Sequence, residues 1–400
     1  MLDKFSFIPY VHSNGQATIP CTIIDSFGNY NPEVALLKIH NQDKGEFKYS
    51  IKKLHVKENS RIISFKSERR IKTIKIEILK ISSEKDLLKR ESVFLKFVPR
   101  FTHKGTPIYI FDYNPDYYIV GGYGHKEFFI NKNILNDRLL YSFLGMYLAE
   151  GGKTEATFTN SWPEAINLVL DFIENNFNIK REQVHAGICC NPNILSKKSE
   201  LERFWSNKTG ICRFYKNLHL NKNVKSPHGI LELYFCSQIL KELFVNLIRK
   251  IDVRDNPDFI NGFLSGDGCP ILQNKYCVTH HIVFDAKRNI FGKLKYCDIF
   301  SNFKFNFINK NRLVLYTNWD KNLFLLSNGI YSFSPMRKFK FLKYFLSLPR
   351  TELNKSYEIN KIREEYEKLK GYLINFYKSL VYYNIYTQEE MEGFILKELK

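Results

Sequence analysis

The chain lacks what most metal and disulfide scaffolds need. Its 8 cysteines among 400 residues never form a Cys-x-x-Cys pair, which excludes a zinc ribbon or a disulfide framework. Several sit in apolar runs, such as Cys236 after Leu233-Tyr234-Phe235, and are expected to be small buried residues of a reducing compartment. There is no glycine loop followed by Lys and Ser or Thr, and no serine-nucleophile elbow. Gly121-Gly122-Tyr123-Gly124 lacks the following Lys and reads as a turn. The opening Met1-Leu2-Asp3-Lys4 has no basic stretch leading into an apolar core, so no signal peptide is expected. No uncharged apolar run is long enough to cross a bilayer. The expected location is cytoplasmic.

Acid is also in short supply. Asp plus Glu total 41 against 60 Lys plus Arg, a net charge of +19 that favours polyanions, nucleic acid first. Charge alone separates neither DNA from RNA nor binding from catalysis. Apolar residues make up 44% and include 34 Phe and 24 Tyr, enough to build large cores. Four hundred residues suggest two or three domains.

Residues 1 to about 130 read as a small β-rich domain. Val34–His40, Arg61–Phe65 and Ile74–Leu79 alternate as strands, with Ser13-Asn14-Gly15, Phe27-Gly28-Asn29 and Asn114-Pro115-Asp116 as turns. Asn14–Pro20 resembles the opening of AbrB-like DNA-binding hairpins over seven residues, although an ordinary hairpin turn is the simpler reading.

From Asn136 the period becomes helical. Leu139-Leu140, Phe143-Leu144 and Tyr147-Leu148 recur on one face. Ser161-Trp162-Pro163-Glu164 reads as a capping box opening a helix with an Ile166, Leu170, Ile173, Phe177 stripe. A strand over Gly229–Cys236 and a helix over Ile239–Ile248 follow. The order then recurs: helix Phe259–Asp267, strand Val278–Phe284, helix Ile290–Phe300, strand Arg312–Thr317, short helix Asn322–Leu326. The tail from Glu352 reads as helices over Ile359–Leu380 and Gln388–Leu399, with Thr387 as cap. It is a packing pair or, alternatively, a helix-turn-helix module.

Two helix ends align across this duplication. Phe143-Leu-Gly-Met-Tyr-Leu-Ala-Glu-Gly151 stands against Ile260-Asn-Gly-Phe-Leu-Ser-Gly-Asp-Gly268. Gly145 matches Gly262, Ala149 matches Gly266, Glu150 matches Asp267 and Gly151 matches Gly268, each 117 positions apart. Small residues four apart share a helical face and let two backbones approach closely. A closing glycine suits the left-handed angles common at helix ends. Each acid then sits at the negative pole of its helix. Two such poles side by side need an intervening cation, and hard oxygen ligands suit Mg²⁺.

This pair resembles the LAGLIDADG homing endonucleases in their single-chain, two-repeat, archaeal-type form. The resemblance spans roughly residues 136 to 345. It extends to Phe158-Thr-Asn-Ser-Trp-Pro-Glu164, His228-Gly-Ile-Leu-Glu-Leu233, and Asn328-Gly-Ile-Tyr331 with Arg337-Lys338. It implies an α+β fold of two pseudo-symmetric αββαββα repeats, 136–250 and 255–345, packed through their motif helices. A β-rich domain (1–130, with nucleic-acid binding open to it) precedes them, and a helical tail (352–400) follows. By position, Glu150 and Asp267 would hold Mg²⁺, with Mn²⁺ as a substitute, and hydrolyse both strands of a long duplex DNA target. A monomeric, nucleoid-associated enzyme of intron or intein homing is implied.

The resemblance is incomplete. Gly152 to Ser161 leaves little room for a hairpin, so the first DNA-facing sheet is expected to be shortened. The supporting lysine is not fixed. Lys153 is the first candidate, opposite Pro270 in the second repeat, with Lys338 and Lys340 as others. His280 and His281 are neighbours on a strand and should face opposite sides. His185, His219 and His228 have no partner at metal spacing. The alternative function is a non-cleaving nucleic-acid binder, either a transcriptional regulator or an intron RNA maturase. An intein remnant is disfavoured by the Met1 start and the Glu398-Leu399-Lys400 end.

Overall fold

The structure is a computed structural model of the chain. It describes residues 5–399 except 10–15, 21, 24–25, 27–32, 43–44, 58–59, 65–73, 88–91, 103, 123–126, 153–154, 236, 274–275, 284–298, 310–311, 355 and 383–384. The fold mixes helices and sheets in two compact units. The first is residues 1–135 with 176–178 and 237–243, and the second is the remainder. No helix among the described residues is long and apolar enough to cross a membrane.

The first unit is built from strands β1 (Phe5–Phe7), β2 (Gln16–Ile19), β3 (Val34–Asn41), β4 (Glu46–Lys53), β5 (His55–Lys57), β6 (Ser60–Ser64) and β7 (Ile74–Ser82), then a one-turn helix α1 (Glu84–Leu87) and strands β8 (Ile108–Asp112), β9 (Tyr117–Gly122) and β10 (Phe128–Asn131). They form antiparallel sheets ordered β1-β7-β3-β4, β2-β6-β5 and β10-β9-β8. Val34 to Leu37 are all buried because β3 has a core on each face. Ala35, Leu37 and Ile39 join Ile76 and Ile78 of β7 and Ala17 and Ile19 of β2. Val34 and Leu36 join Ile51, Tyr109, Phe111 and Ile119. The Asn114 turn is present, its Oδ1 accepting from the N–H groups of Asp116 and Tyr117 at 3.0 and 2.7 Å. Gly121 and Gly122 are not a turn; they belong to β9. A side chain at Gly122 would lie 2.6 Å from the Pro107 carbonyl oxygen, so the position needs glycine for strand packing. The expected turns at Ser13 and Phe27 lie outside the described residues, as do Asn14 and Gly15 of the AbrB-like segment.

The second unit contains helices α2 (Leu140–Glu150), α3 (Pro163–Phe177), α4 (Lys198–Thr209), α5 (Gln238–Lys250, whose first half groups with the first unit), α6 (Pro257–Asp267), α7 (Trp319–Ser327), α8 (Pro335–Leu346), α9 (Pro349–Leu353), α10 (Tyr357–Tyr382) and α11 (Gln388–Phe394). Its strands are β11 (Thr157–Asn160), β12 (His185–Cys190), β13 (Arg213–Phe214), β14 (His219–Leu220), β15 (Ile230–Tyr234), β16 (Gly268–Gln273), β17 (Cys277–Val283), β18 (Lys304–Asn309) and β19 (Arg312–Tyr316). One sheet runs β11-β15-β12-β13, with β14 also on β12, and the other runs β16-β17-β19-β18. Among the described residues of this unit, only β13 and β14 pair in parallel.

Several expectations change here. The helix expected over Ile290–Phe300 lies outside the described residues up to 298. Just ahead of α3, Asn160 Oδ1 accepts from the Trp162 N–H at 2.9 Å, an Asx turn leading into a helix whose first bond is accepted by the Trp162 carbonyl oxygen rather than by a capping Ser161. Glu164 does not close the expected box, since its Oε2 is buried without a hydrogen-bond partner. Among the described cysteines only Cys190 is buried; Cys212 and Cys269 are exposed because both lie on outward strand or loop positions. The tail packs onto the unit. Phe339 of α8 stacks on Tyr366 of α10 with centroids 5.1 Å apart, and Trp162 meets Phe376 at 5.1 Å. Thr387 does cap α11, its Oγ1 accepting from Glu390 N–H at 3.1 Å while Glu390 Oε2 accepts from Thr387 N–H at 2.8 Å.

Candidate active site

Helices α2 and α6 are apolar nearly all round, as suits fully buried helices. Leu140 and Ser142 to Leu148 are buried in α2, and Phe259 to Gly266 in α6. Asn256 caps α6 by accepting from the Phe259 N–H at 3.0 Å, and Pro257 follows in the first turn. Phe143 of α2 stacks on Phe172 of α3 at 4.0 Å, and Tyr147 meets Phe244 of α5 edge-on at 5.0 Å.

The two helices touch through their glycines, and the contact is reciprocal. A Cβ on Gly145 would overlap the Phe259 carbonyl oxygen and lie 2.8 Å from Phe263 N. A Cβ on Gly262 would overlap the Ser142 carbonyl oxygen and lie 3.0 Å from Met146 N. Ser142 and Phe259, and Met146 and Phe263, are again 117 positions apart. The helices therefore cross about a local two-fold. One turn further on, Ala149 Cβ meets Gly266, where no second methyl fits.

The same crossing sets the carboxylates. A Cβ on Gly266 would lie 3.2 Å from Glu150 Cγ, so the Glu150 side chain runs along α6 beside the residue preceding Asp267. Both acids are half-buried at the C-terminal ends of their helices. The closing glycines are not left-handed. Gly151 has φ −69° and ψ 148°, and Gly268 has φ −77° and ψ 144°, both extended. What glycine supplies is space. A Cβ on Gly151 would strike Tyr147, and one on Gly268 would sit 2.6 Å from the Leu264 carbonyl oxygen.

A polar brace holds α6 from outside. Asn261 Nδ2 donates to Ser332 Oγ at 2.8 Å, and Ser265 Oγ donates to Asn261 Oδ1 at 3.2 Å. The turn carrying Ser332 contains Tyr331 at φ 61°, a left-handed angle that costs a non-glycine residue about 1–2 kcal/mol. Its buried hydroxyl is held 2.8 Å from His280 Nδ1. Arg337 Nη1 donates to the Ser265 carbonyl oxygen in the last turn of α6, placing a cation two residues before Asp267. In the sequence Arg337 is only part of an end-of-repeat pattern, and its neighbours give no sign of the bond to Ser265.

The lysine candidates fare differently. Lys153 lies outside the described residues. Lys338 Nζ is ion-paired with Glu365 of α10, so it is engaged with the tail. Lys340 sits on α8, half-buried. His280 and His281 do face opposite ways. His280 is fully buried, and burial pushes its imidazole down to about 4. His281 Nδ1 lies 2.5 Å from Arg312 Nη2 on the outward face of β17 and β19.

The paired acids offer hard oxygen donors, which suit Mg²⁺ or Mn²⁺. Among the described residues no cluster of three or more His, Cys, Asp or Glu side chains is placed to hold a metal ion. No protein-family model matches the chain, and neither a curated protein nor a solved structure matches it.

Proposed function

We propose that this chain is a site-specific double-stranded DNA endonuclease of the LAGLIDADG homing type. The observation that carries this reading is the reciprocal glycine contact between α2 and α6, which aligns Glu150 and Asp267 at one edge. Strand order supports it. Remove β16 from the second sheet, and β17-β19-β18 runs as β11-β15-β12 does in the first. The single bridge Gly151 to Phe158 stands where the full pairing of Gly268 to Ile282 stands in the other half. On this reading each half is an αββαββα repeat, the first having lost most of its opening hairpin. The outward sheet faces would then lie on the duplex, with the +19 charge supplying attraction to phosphate.

Glu150 and Asp267 would hold a divalent cation, Mg²⁺ or Mn²⁺, between two helix ends whose carbonyls add to the negative potential. That ion, when bound, supplies an activated water and neutralises charge on the phosphate. The acids fix its place relative to both strands. Arg337, bonded beside Asp267, offsets the density of negative charge at this edge. By fixing the helix spacing, the glycines would hold the two helix ends that carry these acids in one relation.

The test is selection of cleaved duplexes from a random library with Mg²⁺, then of bound duplexes with Ca²⁺. Glu150→Gln and Asp267→Asn should each lower cleavage by about 10²–10³-fold or more and leave Ca²⁺-supported binding within about threefold, on the scale of losing one preorganised charge-stabilising group. Undiminished cutting by the double variant would refute the assignment. Binding without cutting by the wild-type chain would make it a regulator, or a maturase if RNA bound more tightly at matched salt.

A further inference from the structure

A second surface lies wholly within the first unit and does not rest on the endonuclease reading. One face of the β3–β4 pair reads, in register, Leu36 opposite Ile51, Lys38 opposite Tyr49, and His40 opposite Phe47. Across β7 the same face adds Glu77 beside Lys38 and Lys75 beside His40. At the Leu36 end this face is covered by Tyr109, Phe111 and Ile119. At the other end it is open, and Phe47 is 53% exposed.

Phe47 begins a line of rings. Its centroid is 5.8 Å from Tyr49; Tyr49 is 5.6 Å from Tyr113 and 5.3 Å from Phe129; Phe129 is 6.0 Å from Tyr117. The inner rings close over the core and brace one another, with the Tyr49 and Tyr113 hydroxyls 2.9 Å apart. That bracing fixes Phe47 as the exposed end of a rigid row. A cation flanks it: Lys38 Nζ lies over the ring, 4.1 Å from the Phe47 centroid. The His40 ring is 5.9 Å away. Glu77 lies 3.0 Å from His40 Nε2 and 3.9 Å from Lys75 Nζ, answering part of the lysine charge.

We propose that this open end of the β3–β4 face binds single-stranded nucleic acid, with a base stacked on Phe47 and the backbone phosphates met by Lys38 and Lys75. An exposed, rigidly held ring on a sheet costs solvation unless something flat covers it, and bases stack on such platforms whatever their sequence. Lysines beside the ring, rather than further apolar residues, favour a flat polyanion over an apolar protein segment. The surrounding excess of basic charge adds to the attraction.

The experiment is fluorescence anisotropy of the full chain with fluorescein-labelled 12-nucleotide oligo(dT) and oligo(U) at matched salt. Phe47→Ala should weaken binding about tenfold or more, the scale of one lost base stack. Phe47→Trp should restore it, and Lys38→Glu should weaken it and flatten the salt dependence. The ratio of the two oligonucleotides tells DNA from RNA as the source. Absence of oligonucleotide binding by the wild-type chain, or equal binding by wild type, Phe47→Ala and Lys38→Glu, would overturn the proposal. Loss of stability is separable, because Phe47→Trp keeps the ring and urea unfolding of each variant reads folding apart from binding, including the cost of setting a second carboxylate opposite Glu77 in the Lys38→Glu variant.

Discussion

Lowering the pH from 7 to 5 should destabilise the second unit through His280. This imidazole is fully buried between Tyr331 and Phe341, with Nδ1 2.8 Å from the Tyr331 hydroxyl. Burial, as the first cause, holds it down to about 4 from its ordinary 6.5. The unfolded chain therefore takes up a proton through the pH range 6.5 to 4 that the folded chain refuses. A depressed histidine adds no penalty above 6.5, and its penalty grows as pH falls, by about 1.4 kcal/mol per unit at full slope. Between pH 7 and 5 the expected loss is about 2 kcal/mol from this residue. His228, stacked on Phe204 and pushed by burial to about 4, adds a loss of the same sign. Glu164, raised by burial, works in the opposite direction, so the isolating measurement is a difference. Urea unfolding followed by tryptophan fluorescence would compare wild type with His280→Gln, which keeps a partner for Tyr331. The wild type should lose about 2 kcal/mol more than the variant from pH 7 to pH 5. Equal losses in both proteins would refute the buried neutral histidine.

Gly145→Ala and Gly262→Ala should each destabilise by about 1–3 kcal/mol, because the added methyl meets a carbonyl oxygen of the facing helix. Gly371→Ala in α10, where nothing lies within 4 Å, should instead stabilise by about 0.5–1 kcal/mol, read from the same denaturation curves. Arg337→Met should cost about 1–3 kcal/mol by removing a charge-assisted bond to Ser265, again measured by urea midpoint.

The motif pair was legible because glycine spacing on a helix admits few explanations, and both copies carried it. The short stretch from Gly152 to Ser161 left little room for a hairpin, and among its described residues it forms one strand, β11, bridged to Gly151 through Phe158. Other features left weak traces. His185-Ala-Gly-Ile-Cys-Cys190 forms the central β12 without β-branched alternation, because its neighbours β15 and β13 supply the packing. Helix α4 and strands β13 and β14 lie in a charged stretch whose helical face, Leu201 and Trp205, is only two residues wide. Helix α8 was readable in Phe339, Leu342 and Phe345 but was hidden by its four cations and one-sided stripe. The Ser161 cap did not form, because the helix starts one residue later than the cap pattern implies, with Trp162 at the N-cap position and Asn160 bonding the Trp162 N–H ahead of it. The closing glycines looked like conformational necessities and proved steric ones.

The reciprocal seam between α2 and α6 also has a history to tell. Once a methyl at Gly145 has pushed the helices apart, the space for one at Gly262 already exists. The second change should therefore cost much less than the first, a positive epistasis that a double-mutant cycle measures. Either glycine, drifting alone, meets a barrier that its partner's drift would lower. The two positions behave as one inherited character, so lineages should keep both or abandon both, and the spacing of the paired acids would be kept or lost with them.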